Sequence, residues 1–105
     1  GNGEGALPEM SSWIRIDAAN VLLSSFKPSA YDGALIVRAY ETGGKEKTKV
    51  QFAFAFRVDT AQEISIPEDA VFTELKCQGD GFSDTFAKHE IKTYRICPSR
   101  FMEDT

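Results

Sequence analysis

Residues 48–56, TKVQFAFAF, alternate without a break: Val50, Phe52, Phe54 and Phe56 fall on one side of an extended chain, and Gln51, Ala53 and Ala55 on the other. A repeat of two is the period of a strand with one face buried, not of a helix. A stripe of three phenylalanines and a valine belongs in a core.

The same period governs the chain from Trp13 onward. Extended runs are expected at 13–16, 20–26, 34–41, 48–56, 61–66, 70–77, 82–86 and 89–96, separated by KPSAYDG, TGGKEK, PED and QGDG. Those clusters are rich in residues that tolerate tight backbone conformations. Seven or eight short strands at a spacing of about 8 to 12 residues, with no substantial helix, indicate an all-β, antiparallel, immunoglobulin-like β-sandwich. A small closed barrel is the second choice. In the run 34–41, Leu35, Val37 and Ala39 share one face and Ile36, Arg38 and Tyr40 the other, which places Arg38 near an edge or an interface. The glycines of TGGKEK suit a hairpin loop between this run and the next.

A chain of 105 residues has room for one such domain. Residues 1–12, with their glycines and lone proline, read as a linker or terminal edge, 13–97 as the sandwich and 98–105 as a tail. The longest apolar runs fall well short of the roughly 18 residues that suggest a membrane span. A formal net charge of −4 with scattered Lys and Arg supports neither nucleic acid nor an anionic membrane surface as a partner. Two cysteines, Cys77 and Cys97, are too few for a disulfide framework, although an oxidised pair stays open.

The residues that carry chemistry are sparse. His89 is the single histidine, and with Cys77 and Cys97 it makes the whole soft-ligand set, without C-x-x-C or H-x-x-x-H spacing, so no metal site is expected here. QGDGFSD (78–84) lacks the ligand series and distal glutamate of an EF-hand loop and reads as a β-turn. TGGKEK lacks the glycine and hydroxyl positions of a phosphate-binding loop. Carboxylates are plentiful, but nothing in their spacing selects the pair that glycoside hydrolysis requires. Trp13, Tyr31, Tyr40 and Tyr94 are the aromatics that could stack on a sugar, or pack half-buried with a wetted polar tip.

Two stretches carry a resemblance. VLLSSFKPSAYDGALIVRAYETGG (21–44) and HEIKTYRI (89–96) resemble the C-terminal β-sandwich domain of the α-mannosidases of glycoside hydrolase family 38, in particular the cytosolic and bacterial branch. The family's S-x-x-K step, acidic D-G turn, L-I-x-R-x-Y-E strand and glycine bend are matched by Ser24 or Ser25, Lys27, Asp32, Gly33, Leu35, Ile36, Arg38, Tyr40, Glu41 and Gly43 or Gly44. The closing P-F-E-I-K-T is matched at Glu90, Ile91, Lys92 and Thr93, with Lys88 and His89 replacing the proline and aromatic. The resemblance covers about residues 12–97.

It implies a division of labour. Zinc, an aspartate nucleophile and a carboxyl acid of a retaining exo-mannosidase would lie in an N-terminal α/β domain, and no residue of this chain would be catalytic. The partners implied are the other domains of that enzyme and, through it, mannose-containing glycans. A cytoplasmic location follows the branch. Arg38, Glu41, Glu90 and Lys92 are expected to make charged contacts that hold strand ends or an interdomain surface. Two other readings compete: a carbohydrate-binding sandwich using the aromatics above, and an immunoglobulin-like interaction module with a Cys77–Cys97 disulfide.

Overall fold

A computed structural model of the chain describes residues 13–29, 33–65 and 71–99. Among the described residues the alternating runs become eight strands: β1 (Ile14–Ile16), β2 (Val21–Pro28), β3 (Leu35–Glu41), β4 (Lys47–Phe54), β5 (Val58–Ile64), β6 (Val71–Leu75), β7 (Gly81–Ala87) and β8 (Ile91–Pro98). They form a three-stranded sheet, β1-β4-β7, and a five-stranded sheet, β2-β3-β8-β5-β6. Every neighbouring pair is antiparallel. The architecture is a β-sandwich.

The two sheets meet through the residues that the alternation places inward. Ile14, Val50, Phe52, Phe54, Phe82 and Phe86 come from the small sheet, and Val21, Val37, Ala39, Ala61, Tyr94 and Ile96 from the large one. Phe52 stands opposite Phe82 in the β4–β7 register and stacks on it at 4.9 Å. Both rings then meet Tyr94 across the core, at 5.2 Å and 5.1 Å. Each such side chain contributes about 1.5–3 kcal/mol by leaving water, and the offset and edge-on ring contacts add to that. Gly81 permits the closeness of β4 and β7, because a Cβ there would lie 2.0 Å from the Phe52 carbonyl oxygen.

Three sequence expectations change in detail. β4 ends at Phe54, and Phe56 lies beyond it as a partly buried ring against Phe54 and Trp13. Arg38 is not on an edge strand, since β3 lies between β2 and β8. TGGKEK is not a hairpin loop, because β3 and β4 belong to opposite sheets. Alternation reports which face of a strand is apolar; it is silent on whether the next strand pairs beside it or crosses the core. Gly44 still needs its positive φ of 76° in this crossing, and Gly79 and the exposed His89 adopt φ of 68° and 58° in the turns that bracket β7.

Candidate functional site

The most densely bonded side chain is Glu41, at the end of β3 and 1% exposed. Its Oε1 accepts hydrogen bonds from the backbone N–H groups of Gly44 and His89, both at 2.9 Å. Its Oε2 accepts from Asn20 Nδ2 at 2.7 Å and from the N–H groups of Gly43 and Lys45 at 2.9 Å and 3.1 Å. Asn20 also donates to Thr48 Oγ1 at 2.8 Å.

The donors belong to three connections: β1 to β2 (Asn20), β3 to β4 (Gly43, Gly44, Lys45) and β7 to β8 (His89). Each of the three crosses from one sheet to the other. A crossing loop has no ladder to satisfy its N–H groups, and one carboxylate collects them instead. These donors, led by the His89 N–H and joined by the Asn20 amide, outweigh the cost of burial and hold the Glu41 carboxyl down at about 2. Such a group is locked as an anion and cannot trade protons near neutrality.

A second cluster lies on the inward face where β5, β7 and β8 approach. Lys92 Nζ stands 3.2 Å from Asp84 Oδ2, 3.7 Å from Glu63 Oε1 and 5.4 Å from the centre of the Phe86 ring. The fully buried Tyr94 donates its hydroxyl to the same Asp84 oxygen at 2.7 Å. Burial, with help from the Asp84 and Glu90 carboxylates, pushes Glu63 upward against the pull of Lys92. Burial first, and then the bond to Asp84, push the Tyr94 phenol far above its ordinary range. Two carboxylates share one ammonium here, and the Asp84 oxygen is further engaged by a phenol. The geometry is that of an internal ion cluster holding two sheets together.

The other expected site residues are dispersed. Arg38 points outward from β3 and donates Nε–H to Thr93 Oγ1 at 3.3 Å. Glu90 accepts from the Ala87 N–H at 2.8 Å and closes the β7–β8 turn. Trp13 is 48% exposed beside Phe56. Tyr40 is half-buried on the outer face of β3. Tyr31, like Asp32, lies outside the described residues. Tyr94 is unavailable as a sugar platform, because both its ring and its hydroxyl are enclosed in the core.

Sequence reasoning passed over Asn20, Asp84 and Glu63. Asp84 was legible, for it sits between Phe82 and Phe86 on the inward parity of β7, where an unpaired carboxylate is costly and predicts a partner. Lys92 has the same parity as Tyr94 and Ile96. Nothing local announces Asn20, whose bond to Glu41 spans 21 residues.

Among the described residues no group of three His, Cys, Asp or Glu side chains could hold a metal ion. Cys77 and Cys97 are free thiols, and burial raises Cys77. Two shallow depressions of about 230 and 210 Å³ share Gln51 and Ser83 on the small sheet and include none of the expected site residues.

No curated protein and no solved structure matches the chain. The family model described as the glycosyl hydrolases family 38 C-terminal beta sandwich domain matches residues 20–94, from Asn20 beneath Glu41 to Tyr94 in the core. That span is well over half of the chain, and the chain belongs to the C-terminal β-sandwich domain family of the family 38 glycosyl hydrolases.

Proposed function

We propose that this domain is the non-catalytic frame of an α-mannosidase of the cytosolic and bacterial type, a zinc-dependent retaining enzyme that removes terminal α-mannosides. The observation that carries the reading is the use made of the buried Glu41 and the half-buried Asp84 and Glu63 carboxylates. Glu41 accepts five N–H donors, and Asp84 and Glu63 flank Lys92. A general acid needs a proton to give and access to a substrate, and Glu41 has neither. Among the described residues the soft ligands His89, Cys77 and Cys97 do not form a metal-binding group; on this reading the zinc and the reacting carboxylates lie in another domain. This module acts by packing on neighbouring domains, in the cytoplasm, and meets mannose-containing glycans only through the enzyme that carries it.

The reading frame upstream of Gly1 in the source DNA tests this directly. A long α/β domain with zinc-ligand His and Asp residues is expected. A start codon or secretion signal immediately upstream overturns the proposal and favours a free sugar-binding module, for which Trp13 is the exposed ring.

A further inference from the structure

The Lys92 cluster is unbalanced. Glu63 from β5 and Asp84 from β7 face a single ammonium, and Glu90 in the β7–β8 turn adds a further negative charge nearby. Glu63 and Asp84 keep only 17% and 16% of their side-chain surface in contact with solvent, so water offsets the excess charge poorly. One proton would neutralise it, and the bonding decides which carboxylate receives that proton.

The charge of Asp84 is answered by three donors. Its Oδ2 accepts from Lys92 Nζ at 3.2 Å and from the Tyr94 hydroxyl at 2.7 Å, and its Oδ1 accepts from the Thr85 N–H at 2.7 Å. Glu63 has Lys92 alone, at 3.7 Å, a separation too long for a good hydrogen bond. Donors favour the charged form of a carboxyl, so the group with one distant cation gives way before the group with three close donors. The other groups around Glu63 oppose its charge or leave it untouched. Glu90 repels it, and the Tyr94 phenol stays neutral. On β6, Thr73 opposite Glu63 is uncharged and Glu74 is bonded to Gln62. Burial, Asp84 and Glu90 together raise Glu63 above its ordinary 4.5 against the pull of Lys92.

We infer that Glu63 is a proton-operated latch between the two sheets: in a mildly acidic medium it takes up one proton, its repulsion from Asp84 across the interface disappears, and Lys92 pairs with Asp84 alone. The sign of the consequence is fixed by linkage. The folded chain holds the Glu63 proton more tightly than the unfolded chain, so this group's contribution to stability rises as the pH falls from 7 toward 4.5. Glu41 acts in the opposite sense and in a separate window, below pH 4.5. The latch lies wholly inside this domain and does not depend on the enzyme proposed to carry it.

Carbon-13 NMR titration of the side-chain carboxyls in the 105-residue chain reads the proton directly. Glu63 is expected to titrate with a midpoint above 4.5. Asp84→Asn should move that midpoint down by removing the facing charge, and Lys92→Met should move it up. Thermal melting of Glu63→Gln is a readout that needs neither of those variants to fold. Its melting temperature should exceed that of the parent chain at pH 7, and the gap should shrink as the pH is lowered and close below pH 4.5. A Glu63 midpoint at or below 4.5 overturns the inference, as does protonation of Asp84 ahead of Glu63. So does a Glu63 midpoint that ignores Asp84→Asn, or a melting gap that does not change with pH.

Discussion

At the scale of single residues, two polar groups that the core could not tolerate alone are made into its fasteners. Glu41 has a folded-state value near 2 against an ordinary 4.5, so its contribution to stability is fully present above pH 4.5 and is lost as the pH falls toward 2. Glu41→Gln keeps the shape but replaces one acceptor oxygen by a donor, leaving N–H groups facing an NH2. The melting midpoint of the variant should lie well below that of the parent chain at pH 7, and the gap should narrow steadily between pH 4.5 and pH 2.5. A gap that widens with acid contradicts the assignment. Tyr94→Phe removes the donor to Asp84 while keeping the ring contacts, and should cost about 1–3 kcal/mol in urea unfolding. A neutral result would mean that Lys92 alone satisfies Asp84. Glu41 was legible as a charged contact at a strand end, but its partners were not. Four of its five donors are backbone N–H groups, which every sequence carries everywhere, and the fifth, Asn20, is distant in the chain.

At the scale of elements, alternation located all eight strands within a few residues, because a period of two is a property of the strand alone. It failed where a contact between strands decides the outcome. The crossing of TGGKEK between sheets depends on which partner β3 and β4 each find, and β3 finds β2 and β8 while β4 finds β1 and β7. The bulge in β2 between Leu23 and Ser25 is of the same kind, shifting the strand by one residue so that Phe26 stays on the inward parity of Val37. The closeness of β4 and β7 yields a prediction at this scale. Gly81→Ala places a methyl group against the Phe52 carbonyl and forces the strands apart at the centre of the aromatic stack. It should destabilise by about 1–3 kcal/mol, the usual cost of overpacking, as read by the denaturation midpoint. Gly79→Ala is the comparison: its Cβ would meet nothing within 4 Å, and its strain comes from φ alone.

At the scale of the whole molecule, the fold reads as a scaffold whose polar interior is arranged for rigidity. Three inter-sheet connections converge on one carboxylate, and a lysine flanked by two acids ties β5, β7 and β8. The family was legible because its marks fall on these structural positions: the Arg38-Tyr40-Glu41 strand end, its glycine bend, and the Glu90–Thr93 stretch that leads from the β7–β8 turn into β8. The outward alignment of Leu22, Tyr40 and Ile91 was not, since these residues become neighbours only through pairings across some 18 and 51 residues of chain.

The most direct test of the proposed supporting role is Glu41→Gln in the longer mannosidase polypeptide that the proposed function requires, scored for turnover of an aryl α-mannoside and for the temperature of irreversible inactivation. The account predicts that turnover at low temperature is retained while the inactivation temperature falls. Loss of turnover at an unchanged inactivation temperature would contradict it and place the buried Glu41 carboxylate in the chemistry.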